Sequence, residues 1–138
     1  MQIRLAASDE EIAACYPVMK QLRAHLQVGE FVSTVRRLEL TGYRLAYFEV
    51  EDRLVAVTGF RVLEDLPRGR FLYVDDLVTD ETFRSKGVGA QLLAWLRAHA
   101  KAEACNSVQL DTGLQRKGAQ RFYEREGMRL SCYHYEIP

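Results

Sequence analysis

The chain has 138 residues, 48% apolar and 28% charged, with 19 Lys and Arg balancing 19 Asp and Glu. This composition fits one globular domain over residues 1–138 with one core, and argues against disorder. Electroneutrality argues against a broad basic footprint for nucleic acid or an anionic membrane. No apolar run nears the roughly 20 residues of a membrane span.

The opening "MQIRLAASDEE" lacks an apolar leader core and is acidic early, so a cytoplasmic chain is expected. Cys15, Cys105 and Cys132 are odd in number and widely spaced. They read as reduced thiols used as apolar filler, and no Cys or His spacing suggests a metal site. Residues 2–6 alternate and predict a short strand. Ser8 and Glu11 form a capping box ahead of a helix that carries Ile12, Tyr16, Met19, Leu22 and Leu26. Pro17 lies inside it and should kink or divide it. A second helix is expected over 30–41, ending near Gly42. The apolar period then falls to two. Residues 43–51, 53–63 and 69–79 predict three strands of an antiparallel meander. A helix from about 87 to 103, a strand over 106–112, a helix over 115–127 and a last strand over 128–137 complete the order. The units over 71–111 and 107–137 predict right-handed β-α-β crossovers.

One junction carries chemistry. "RSKGVGAQLL" (84–93) joins a strand to a helix. Gly87 and Gly89 at a helix N-terminus leave backbone N–H groups accessible, and such an end binds phosphate. Arg84 and Lys86 add charge. The stretch is not a Walker A loop, for want of Gly-Lys-Ser/Thr, nor a Rossmann fingerprint, for want of a third glycine. The competing reading is a turn with two solvated cations. A second signal is "VDDLVT", which sets Asp75 and Asp76 in an apolar strand. Adjacent carboxylates there cost desolvation unless they face a cleft or a partner. Strand alternation predicts that only one of them faces it.

Taken together, "DDLVTDETFRSKGVGAQLL" (75–93) and "AQRFYEREGM" (119–128) resemble the GNAT superfamily of acyl-CoA-dependent N-acyltransferases. Arg84, Ser85, Lys86, Gly87, Val88 and Gly89 match the Arg/Gln-x-x-Gly-x-Gly/Ala pyrophosphate loop. Ala119, Phe122, Tyr123, Gly127 and Met128 match the later A-x-x-F-Y-x-x-x-G-F block, with Met replacing Phe. The resemblance implies an α/β fold. Its mixed, mostly antiparallel sheet has about six strands and four flanking helices, splayed between 71–79 and 106–111. It implies acetyl-CoA as co-substrate, its pyrophosphate on the loop through Ala90 and its pantetheine on the backbone of Leu77 and Val78. It makes Tyr123 the general acid and places Asp75 or Asp76 beside an amine acceptor. Arg116 stands where the family carries a pantetheine-contacting Asn, and its charge can meet the CoA phosphates instead. The short last strand leaves the acceptor side more open, or completed by a second subunit in a homodimer. Two other readings are an acyl-CoA sensor without turnover and a scaffold that binds no nucleotide. His25 and His99 read as surface residues, and His134 as either core or site.

Overall fold

The computed structural model describes residues 2–138. After strand β1 (Gln2–Leu5), helix α1 (Asp9–Leu22) begins at the expected capping box. Ser8 Oγ accepts from the Glu11 N–H at 3.1 Å, and the Glu11 carboxylate accepts from the Ser8 N–H at 2.9 Å. The helix runs through Pro17 without dividing. It ends at Leu22, so Leu26 packs on the core from the connection rather than from the helix. A 3-10 turn (Val28–Glu30) leads into α2 (Phe31–Glu39).

Strands β2 (Arg44–Val50), β3 (Arg53–Asp65) and β4 (Gly69–Thr79) form the predicted meander, and β1 pairs antiparallel with β2. Helix α3 (Val88–Ala102) then crosses to β5 (Val108–Leu110), which is parallel to β4, and α4 (Lys117–Arg125) follows. The sheet order is β1-β2-β3-β4-β5. Both faces are covered. On one, Ile12, Met19, Phe31 and Val35 of α1 and α2 bury against Leu45, Tyr47, Val57 and Val78. On the other, α3 packs Leu93, Leu96 and Ala100 on Phe60, Leu72 and Val74. β2 shows why its sequence is apolar throughout: Leu45, Ala46, Tyr47 and Phe48 are all buried, alternating between the two layers.

Among the described residues the sheet has five strands where about six were expected. Residues 128–137 form no strand, so the second crossover is not made. Leu130, Tyr133, Tyr135 and Ile137 stay exposed. The alternation is present in that segment, but β5 offers only three residues as a template. A strand without a ladder or a covered face has little to hold it.

β4 carries the feature that shapes the site. Its register with β3 shifts, with Gly59 opposite Asp76 and Phe60 opposite Val74. Asp75 is therefore the extra residue of a β-bulge, which re-aims the side chains that follow it.

Candidate active site

β4 and β5 pair only at Leu72–Val108, Tyr73–Gln109 and Val74–Leu110. Beyond Val74, β4 keeps its ladder to β3 as far as Thr79 but has no partner on its other edge among the described residues. The strands diverge there around a slot of about 30 Å³. Asp75, Leu77, Thr112 and Tyr123 line it, with Arg116 at the start of α4. Leu22 and Arg23 of the α1 end close the other side. Thr112 Oγ1 is buried in this region without a hydrogen-bond partner. Buried hydroxyls are normally paired, so a polar occupant is implied.

The 84–90 loop packs at Gly89 against Phe122 of α4, the helix whose Tyr123 lines the slot. Gly87 takes φ +77° and caps α3, a left-handed conformation that suits glycine. Ser85 also turns through positive φ, at +64°. The first α3 bond runs from the Gln91 N–H to Gly87 O, so the N–H groups of Val88, Gly89 and Ala90 precede the helical ladder. Gly89 is a tight fit rather than a conformational requirement. A Cβ there would lie 3.3 Å from Phe122 Cζ and 3.6 Å from Thr79 Oγ1, so its absence lets α4 close on the loop. Arg84, Ser85 and Lys86 are exposed, with Lys86 Nζ 5.6 Å from the Phe83 ring centre.

The aspartates depart from the predicted alternation. The bulge turns both side chains toward the α1/α2 layer. Asp75 accepts from Arg61 Nε at 2.9 Å, and that guanidinium sits 5.6 Å from the centre of the Tyr43 ring. Asp76 accepts from Arg23 Nε at 2.9 Å and from the Tyr43 hydroxyl at 2.7 Å. Arg23 also donates to Asp75 O at 2.8 Å, and buried Thr58 donates to Asp76 O at 2.7 Å. Gly59 makes the arrangement possible, because a Cβ there would lie 1.8 Å from the Tyr43 hydroxyl oxygen. Burial raises the Asp75 carboxyl above its ordinary value, opposed by its bond to Arg61.

Tyr123 comes to the slot from α4, its ring 5.2 Å from Phe122 at 61°. Burial raises its phenol, with Arg116 acting in the opposite direction. Leu77 points its side chain to the α3 layer and Val78 to the α1 layer, so their backbones form the unpaired edge. His99 is not a surface residue: it stacks on Trp95, with ring centres 5.2 Å apart, and against Phe60. His134 is exposed and meets Asp111 at 2.8 Å. Cys15 is buried and its thiol is pushed up to about 12 by that burial, whereas Cys132 is exposed and fills no core.

A second cavity, about 330 Å³, adjoins the slot between α1, α2 and Asp76. Arg23 borders both spaces.

Comparison with known proteins agrees with this geometry. The sequence profile of the Acetyltransferase (GNAT) family matches residues 9–128. The uncharacterized N-acetyltransferase YhdJ of Bacillus subtilis is 30% identical over 140 residues, covering 100% of this chain and 99% of that protein. Among solved structures, the ribosomal-protein-alanine N-acetyltransferase of Brucella melitensis biovar Abortus superposes with a TM-score of 0.84 at 18% identity, covering 100% and 99% of the two chains. AAC(6')-Iy, solved with a bisubstrate analogue of CoA, superposes with a TM-score of 0.78 at 15% identity, covering 99% and 98%. The chain belongs to the GNAT acetyltransferase family, and it is an acyltransferase of the GNAT N-acetyltransferase type.

The structure brings Asp75, Leu77, Arg116 and Tyr123 to one slot, with Asp76 one cavity away. Sequence reasoning missed Arg23, Tyr43, Thr58, Gly59, Arg61 and Thr112. Arg23 and Tyr43 are distant in sequence from any motif. Gly59, a glycine inside a strand pattern, was the one legible signal of a close approach.

Proposed function

We propose that this single-domain chain transfers the acetyl group of acetyl-CoA to a primary amine of a small molecule or peptide. The amine attacks directly, with both substrates bound. One observation carries the reading: a free strand edge, an orphaned buried hydroxyl, Asp75 and Tyr123 meet in a slot that borders a cavity lined by Asp76. The residues present fit CoA. The N–H groups of Val88, Gly89 and Ala90, with Ser85, Gly87 and the cations Arg84 and Lys86, would hold its pyrophosphate. The backbone edge at Leu77 and Val78 and the hydroxyl of Thr112 would take the pantetheine amides. Arg116 would meet a phosphate. Bound acetyl-CoA supplies an activated thioester carbonyl.

The remaining work falls to this chain. Backbone N–H groups on the β4 edge stabilise negative charge that develops on the carbonyl oxygen. Asp75, raised by burial, accepts the ammonium proton directly or through water. Asp76 contributes negative charge toward the cationic amine. The new bond forms between the amine nitrogen and the acetyl carbon as the carbon–sulfur bond breaks, and the nitrogen releases its second proton to solvent. Tyr123 then gives its proton to the departing sulfur and recovers one from solvent. Three free thiols support a cytoplasmic setting. The exposed 128–137 segment beside a three-residue edge strand supports a homodimer that covers it. Neutral charge supports neither nucleic acid nor membrane as a partner.

Ligand stabilisation tests the cofactor loop. Acetyl-CoA at a hundred times its Kd should add about 2.7 kcal/mol to the unfolding free energy. The double variant Arg84→Glu/Lys86→Glu reverses charge at two exposed positions and avoids the Phe122 contact that a larger side chain at Gly89 would meet. It should lose most of that shift at equal ligand concentration. A full shift in the variant would remove the phosphate assignment.

A further inference from the structure

The cavity of about 330 Å³ beside the slot has a lopsided chemistry. Most of its wall is apolar: Met19 from α1, Leu26 from the connection, and Phe31, Val35 and Leu38 from α2, with His25 and Thr34 as its two polar members. Its inner end is polar, formed by Asp76 with the Arg23 and Tyr43 groups bonded to it. That end is also where the cavity meets the slot, because Arg23 borders both. A ligand that uses both parts has one ammonium at the Asp76 end and an apolar body extending toward α2.

We infer that the acceptor is a monoamine with a compact apolar body, an alkylamine or arylalkylamine, lodged between α1 and α2 with its nitrogen at Asp76. This rests on the acetyltransferase reading above and specifies its acceptor. The wall also argues against other amine classes. A polyamine needs a second carboxylate at a distance from the first, and Asp76 is the sole acid lining the cavity among the described residues. An amino sugar needs several donors and acceptors; the Tyr43 hydroxyl is already committed to Asp76, which leaves His25 and Thr34 as the polar groups of the wall. Leaving sugar hydroxyls against Leu26, Phe31 and Val35 would cost their hydration without return. The volume lies within the range of small-molecule pockets and suits a single ring or a six-carbon chain.

Thiol release from acetyl-CoA with hexylamine, 2-phenylethylamine, spermidine and glucosamine tests this, together with calorimetric binding of hexylamine to the full chain. The two apolar amines should exceed the other two in kcat/KM by at least about tenfold, the scale on which an apolar pocket selects. Leu26→Glu puts a second acid in the wall at a half-buried connection residue. It should weaken hexylamine binding about tenfold or more and shift the ratio toward spermidine, with the acetyl-CoA-induced rise in Tm retained. Spermidine or glucosamine used as well as hexylamine by the unaltered chain would overturn the acceptor class and leave acetyl transfer standing. Hexylamine that binds while no amine releases thiol would overturn acetyl transfer and uphold the cavity's preference. Unaltered hexylamine binding and selectivity in Leu26→Glu would overturn the placement.

Discussion

Tyr123 combines two properties a general acid needs here. Its phenol faces the slot, and burial raises it above its ordinary value of 10.0. It is therefore protonated at neutral pH. A phenol is a weak donor to a thiolate of ordinary basicity, about 8.5, so position rather than acidity must supply the benefit. Tyr123→Phe keeps the ring and its contact with Phe122 while removing the hydroxyl. Steady-state kinetics should show kcat lower by about 10² to 10⁴ and acetyl-CoA affinity nearly unchanged. Unchanged kcat, with chemistry still rate-limiting, would make Tyr123 a packing residue. Asp75 and Asp76 differ in environment. Asp76 is held by Arg23 and Tyr43 on both oxygens, while Asp75 has Arg61 on one. The less committed carboxylate is the better proton acceptor.

Two elements explain how those residues reach one place. The extra residue in β4 turns consecutive aspartates to the same layer, which an even alternation could not do. This is where sequence reading stopped short. "VDDLVT" signalled a cleft, but a bulge depends on the register with β3 and leaves no local mark. Gly59 hinted at it, since the glycine sits opposite Asp76 and clears room for Tyr43. Helix α1 shows the opposite case, in which local chemistry decides. Its capping box was readable from Ser8 and Glu11 alone. The Glu11 carboxylate also accepts from the Tyr47 hydroxyl at 2.7 Å and so ties the helix start to β2. The Ser8 N–H, the Tyr47 hydroxyl and the Ala7 N–H lower Glu11 from 4.5 to about 2. Because the folded value lies below the ordinary one, the ionised group stabilises the fold at higher pH. That contribution is lost as pH falls from about 4.5 toward 2. Glu11→Gln should flatten this part of the stability-versus-pH curve, read by urea unfolding at stepped pH. An acid slope equal to that of the unaltered chain would remove Glu11 from the account.

At the scale of the molecule, the two-layer covering of the sheet was legible and its far edge was not. The meander, the α3 crossover and the loop at 84–90 follow from local period and turn chemistry. The residues at 128–137 have a strand's alternation, yet a strand also needs a neighbour, and β5 supplies three residues. The site inherits the same division. Motif residues came from sequence, whereas Arg23 from the end of α1, Tyr43 from just before β2 and Arg61 from β3 reach the aspartates only after folding. The slot and the cavity open on either side of Arg23, which suits a reaction with both substrates bound together. Initial rates over a grid of acetyl-CoA and hexylamine concentrations test that claim most directly. The account predicts double-reciprocal lines that intersect, with one acetylated amine formed per thiol released. Parallel lines, or thiol release that proceeds at the same rate without amine, would contradict it.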